Sequence, residues 1–159
     1  QFLVAGPQQV DAARTIAVRE KACAAMISLG QGSVSAKTAL SEAGAAEALV
    51  SLLKEHKKVA SVVGKASGAL AVICSGGEGM GEDVAKGIKD RAAGAGAVPV
   101  LVWALRKHKK LAEVVDPGRS ALIVVCHTEE LQSAALKAGA DPSWSPRASH
   151  RAPATQQFV

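Results

Sequence analysis

Aromatic residues are the scarcest class in this chain. They make up 3% of 159 residues, with no tyrosine and with the two phenylalanines, Phe2 and Phe158, near the ends of the sequence. A core built with so few rings rests on alanine, valine and leucine, whose small side chains let helices approach to about 8–10 Å. The same scarcity removes the interleaved platform on which single-stranded nucleic-acid binders stack bases. Cysteine is sparse too: Cys23, Cys74 and Cys126 do not make a disulfide framework, and buried free thiols are the expectation. No apolar run reaches the roughly 20 residues of a membrane span, and nothing at Gln1 resembles a cleavable leader, so a cytoplasmic or nuclear setting without a membrane span is expected. His56 and His108 lie among lysines, which repel a cation, and have no second ligand at metal spacing. No Ser/His/Asp or paired-carboxylate arrangement emerges, and the expectation is a protein without catalysis, metal or cofactor.

What the chain does contain is a copy of itself. AGAAEALVSLLKEHKKVASVVGKASGALAVIC, from Ala43 to Cys74, returns as AGAVPVLVWALRKHKKLAEVVDPGRSALIVVC, from Ala95 to Cys126, with sixteen of thirty-two ungapped positions identical. The register extends outward. Ala138-Gly139-Ala140 follows Ala95-Gly96-Ala97 after 43 residues, and Lys21-Ala22 precedes Lys65-Ala66 by 44. Between the two good copies the step is 52, and the excess falls in the glycine-dense stretch at 75–82, which reads as an insertion between repeats. A period of about 43 residues belongs to armadillo or HEAT units.

Periodicity predicts helices. Leu49, Val50, Leu52 and Leu53 recur at three- and four-residue spacings, with Ser51 and Lys54 turned away. Gly44 and Gly96 fit helix ends, where glycine takes the left-handed conformation at no steric cost. Pro99 fits a helix start. Pro117, inside the third segment of the second copy, is expected to kink or divide its helix after Val115.

These segments resemble armadillo repeats. SEAGAAEALVSLLKEH and AGAGAVPVLVWALRKH are similar to the family's short first helix, ending in glycine, followed by an amphipathic second helix, while KASGALAVIC and PGRSALIVVC resemble its third. The resemblance covers about Asp11 to Ala140. It implies an all-α, right-handed α-solenoid of about three repeats over residues 1–140, a disordered tail over 141–159, and a protein-protein interaction or scaffold role. Because terminal repeats of such arrays carry polar caps that are missing here, a fragment of a longer array is expected.

Two surfaces are candidates for a protein or peptide partner. In the family the third helices line a groove; the corresponding residues here include Lys65, Gly68, Val72, Ser120, Ile123 and Val124. Armadillo proteins that hold nuclear-localisation peptides carry a tryptophan and, four residues on, an asparagine. Ala24, Gly68 and Ser120 stand at the tryptophan positions, and Ser28, Val72 and Val124 at the asparagine positions, which weighs against importin-type basic cargo. The second surface is a basic ridge of Lys54, Lys57 and Lys58 in one copy and Arg106, Lys107, Lys109 and Lys110 in the next, both at the turn joining second and third helices. On a chain of net charge +5, such a ridge suits an acidic protein, nucleic acid or anionic lipid. The competing account is a solvated turn whose cations face helix carboxyl ends. Trp103, aligned with Ser51, is either an interface anchor or a cation–π neighbour of a lysine.

One alternative belongs to another fold class. LAVICSGGEGMGEDVAKGIKD also reads as strand, glycine turn and helix, as in nucleotide-dependent α/β enzymes, with Gly76 to Gly81 as a phosphate loop, and it resembles the TSGGDxxGMN turn of phosphofructokinases. Its spacing fits neither GxGxxG nor GxxxxGK[ST], and the equivalent Cys126 is followed by no glycine. Beyond Ala140, the prolines Pro142, Pro146 and Pro153 interrupt a serine- and arginine-rich stretch in which Trp144 and Arg147 read as a short linear motif.

Overall fold

The computed structural model describes residues 7–144, with side chains from residue 11 onward. Eight α-helices occupy these residues, and no strand occurs among them: α1 (Pro7–Gly32), α2 (Val34–Glu42), α3 (Ala45–Glu55), α4 (Ala60–Cys74), α5 (Glu82–Gly94), α6 (Ala97–Lys107), α7 (Ala112–Val125) and α8 (Glu129–Lys137), followed by a single 3₁₀ turn, Pro142–Trp144. The fold is all-α. The α/β alternative is thereby overturned: Leu70 to Cys74, its supposed strand, form the last turn of α4.

The internal copy appears as two triplets, α2-α3-α4 and α5-α6-α7, with α1 matching the third helix of a triplet and α8 the first. The joints recur as well. Gly44, Gly96 and Gly139 end α2, α5 and α8 with φ of 81°, 95° and 97°, a region where a Cβ would strain the backbone. Each of the first two reverses the chain into the next helix, and each apolar stripe then turns inward. In α3, Leu49, Val50 and Leu53 are buried while Ser51 and Lys54 are exposed; in α6, Val98, Leu101 and Val102 are buried. Pro99 sits in the first turn of α6, where its missing amide proton costs little.

Packing centres on α4, which lies against α1, α3 and α7; α3 also meets α5 and α6, and α6 meets α7 and α8. The core is aliphatic, led by Leu49, Leu53, Leu70, Ile73, Leu101 and Leu122. Pro117 does not divide its helix, because α7 runs unbroken from Ala112 to Val125. A proline at this position leaves the Glu113 carbonyl without its helical amide donor. That carbonyl points at Gly64 of α4, so closely that an added Cβ would collide with it. The α4–α7 contact therefore absorbs the orphaned carbonyl, and a glycine Cα–H faces it. The glycine-rich insertion is likewise held from outside: the buried Lys37 of α2 donates from Nζ to the Gly76 carbonyl at 2.7 Å and contacts Ser75 Oγ at 3.2 Å.

The folded unit also extends further than the sequence suggests. Asp141 to Trp144 are ordered, and the Trp144 ring is buried against the core, so it is not part of a free linear motif. Arg147 lies outside the described residues, as do Gln1 to Gly6 and the rest of the expected tail. Among the described residues, no helix is long and apolar enough to cross a membrane.

Candidate functional site

The two basic turns lie side by side. Trp103, projecting from α6, is half-buried between them, with Lys57 Nζ 5.0 Å from its ring centroid and the His108 imidazole edge-on at 6.4 Å. His108 is buried, and its Nε2 contacts the Lys57 carbonyl at 2.9 Å, tying the second copy's turn to the first. Trp103 is thus the cation–π neighbour of Lys57 and a strut between copies. Shallow hollows flank it, one edged by Lys54 and Lys57, the other by Arg106, Lys107 and Lys109.

Equivalent cations have different roles. Lys54 reaches across to the next triplet and donates from Nζ to the Ala95 carbonyl at 2.6 Å, satisfying the carboxyl end of α5. Arg106, its counterpart, lies over Gly139 at the end of α8, where a Cβ would sit 2.9 Å from Nη1, but it donates to no described residue. Lys58, Lys107, Lys109 and Lys110 are exposed and make no ion pair with a described residue. His56 faces Glu55 at 3.8 Å, too far for a hydrogen bond, and Glu55 is engaged by Arg19 at 3.1 Å. The ridge therefore divides into Lys54 and Lys57, spent within the fold, and a set of cations open to solvent.

The third-helix face keeps a shallow hollow of about 370 Å³, lined by Ile27, Ser61, Lys65, Gly68, Glu113 and Pro117, and Lys65, Ser120 and Ile123 are exposed. Gly68 lies against Ile27 of α1 and Pro117 of α7, within van der Waals reach of both. Val72 covers Gly30 of α1, where a Cβ would sit 2.7 Å from Cγ1. Lys65 pairs with Glu20 at 3.6 Å, and Ser120 returns its hydroxyl to the Asp116 carbonyl of its own helix at 3.0 Å. Val124 is half-buried, and Ile123 is left 42% exposed, an isolated apolar residue beside these satisfied groups. Gly68 both lines this hollow and lies where α1, α4 and α7 come together.

The thiols lie in the interior. Cys23, Cys74 and Cys126 are all buried and unbonded to one another. Burial pushes the Cys74 thiol up to about 12 and that of Cys126 to about 11. Among the described residues no group of three or more His, Cys, Asp or Glu is placed to hold a metal ion.

A further concavity carries no signal in the sequence. Arg106 and Lys109 from the ridge, Arg119 from α7, and Asp141 and Trp144 after α8 surround a cavity of about 570 Å³. Its residues come from three separated stretches, and no local spacing announces it. Comparisons with protein-family models, with curated proteins and with solved structures gave no match to this chain.

Proposed function

We propose that the chain is a segment of an armadillo-like right-handed α-solenoid and serves as a non-catalytic interaction module that holds an acidic protein segment along its basic ridge. The observation that carries this reading is the row of exposed, unpaired cations, Lys58, Lys107, Lys109 and Lys110, contributed by equivalent turns of two adjacent copies. Carboxylates of an extended partner would meet these ammonium groups in solvent, where each pair contributes about 0.2–1 kcal/mol and affinity comes from number. A protein partner is favoured over single-stranded nucleic acid because Trp103 is a single half-buried indole beside these cations, whereas base stacking along a strand uses successive aromatic rings.

The test is titration of an Asp/Glu-rich peptide of about a dozen residues against the chain and its Lys58→Glu/Lys107→Glu/Lys110→Glu variant. Reversing three charges is expected to weaken binding by about tenfold to a hundredfold, with affinity falling as salt rises. An unchanged affinity in the variant would refute the ridge. A single-stranded oligonucleotide binding more tightly than a peptide of equal charge would transfer the ridge to nucleic acid.

A further inference from the structure

The cavity beyond α6 and α7 has an imbalance of donors over acceptors. Arg106 and Lys109 donate to no described residue, and neither does Arg119, which sits near enough to Asp141 for its charge to act on that carboxylate. A guanidinium carries five N–H donors and an ammonium three. Trp144 also lines the cavity; its ring is 5% exposed, and its buried Nε1 has no acceptor among the described residues. One carboxylate, that of Asp141, also stands at the rim. Asp141 Oδ1 accepts the Ser143 amide at 2.8 Å, and that hydrogen bond, more than the Arg119 charge, holds its carboxyl below the usual range. Opposite the cations the wall is aliphatic, built by Val102, Leu105 and Val115.

Two guanidinium forks and an ammonium around one concavity match a group with several acceptor oxygens and more than one negative charge, because planar forks engage such oxygens in pairs. The aliphatic wall asks for a ligand with an apolar body. At about 570 Å³ the space falls within the range of small-molecule sites. We propose that this cavity binds a small phosphorylated molecule, its phosphate held by Arg106, Lys109 and Arg119 and its apolar portion laid on Val102, Leu105, Val115 and the Trp144 ring. The site shares Arg106 and Lys109 with the ridge, while Arg119 belongs to the cavity alone and distinguishes the two.

Hexyl phosphate and inorganic phosphate are the probes. Trp144 fluorescence in a Trp103→Phe background, together with the amide resonances of Gly139 and Ala140, reports occupancy. Hexyl phosphate is expected to saturate one site and to bind at least about tenfold tighter than inorganic phosphate, because burying methylenes adds to the electrostatic contact. Arg119→Gln should weaken both probes about tenfold or more, Arg119→Lys should restore part of the loss, and Lys137→Gln, an exposed cation of α8 outside the cavity, should leave both unchanged. Amide spectra of each variant establish that the fold is retained. The proposal is overturned by no saturation at ligand concentrations on the order of 10 mM. It is also overturned by equal affinities for the two probes, or by Lys137→Gln weakening them as much as Arg119→Gln, which would mark diffuse attraction to the basic surface. Loss of acidic-peptide binding in the ridge variant, with phosphate binding retained, would separate the two sites.

Discussion

Substituting Gly64 by alanine tests the central contact of the fold. Ordinarily this exchange inside a helix is favourable, by about 0.8–1.0 kcal/mol, because alanine loses less backbone freedom. At Gly64 the new methyl would overlap the Glu113 carbonyl oxygen of α7, and the obstacle is backbone, unable to swing aside as a side chain tip would. Relief requires α7 to retreat from α4 or α4 to rotate, and either motion disturbs the buried set Val62, Val63, Val114 and Ala121. Overpacking of this kind costs about 1–3 kcal/mol, and a rigid neighbour places it near the upper end. Subtracting the helix-propensity gain leaves a net loss of about 2 kcal/mol, or a midpoint lowered by about 4–8 °C in a chain of this size. Gly87, inside α5, is the internal control: nothing lies within 4 Å of a Cβ built there, so Gly87→Ala should stabilise by about 0.5–1 kcal/mol. Urea unfolding followed by circular dichroism measures both. A Gly64→Ala variant as stable as Gly87→Ala would show that α4 and α7 do not approach as described, and would remove the account of Pro117 along with it.

Lys54→Met, which keeps most of the aliphatic stem but withdraws the donor from the Ala95 carbonyl, should cost about 0.5–1.5 kcal/mol in chemical denaturation, whereas Lys58→Met should be near neutral; equal effects would refute the division of the ridge. The thiols predict a pH dependence. Burial raises Cys74 from 9.0 to about 12 and Cys126 from 9.0 to about 11, so the folded chain keeps two protons that the unfolded chain releases. Their contribution is complete below about pH 9 and erodes as pH rises towards 11 and 12. In native protein at pH 8, alkylation of these two thiols should proceed only as fast as unfolding; prompt modification of both would show that they are not interior.

The parts of the fold legible in the sequence are those set by local pattern. The apolar spacing of Leu49, Val50 and Leu53 needs only the geometry of a helix to be read, and Gly44, Gly96 and Gly139 announce left-handed helix ends through their shared register. The basic turns are legible for the same reason. Features that stay hidden depend on contacts between distant segments. Pro117 reads as a break when its helix is taken alone, without Gly64 to receive the carbonyl it frees. Lys37 carries no signal of burial, since its amine is satisfied by Gly76 and Ser75, nearly forty residues away. Trp144 sits in a proline- and serine-rich stretch, yet the apolar edge left by α6 and α7 captures it.

The divergence between Lys54 and Arg106 shows how a repeated position acquires a new use. Both come after the same leucine-rich stripe and both reach towards the glycine that ends the next first helix. In the first copy the next triplet is complete: α6 begins at the Gly96 joint, and Lys54 is drawn onto the Ala95 carbonyl beside it. After Gly139 the chain instead enters a 3₁₀ turn whose tryptophan covers the edge of α6 and α7. A second helix would fill that space more fully than one ring can, and the remainder is the cavity around Arg106. Its cation, freed from the structural task of its counterpart, faces solvent together with Arg119 and Lys109. Restoring the Lys54 arrangement there, by Arg106→Lys, should therefore not reproduce the stabilisation that Lys54 provides, because the difference lies in the segment downstream of the glycine and not in the cation itself.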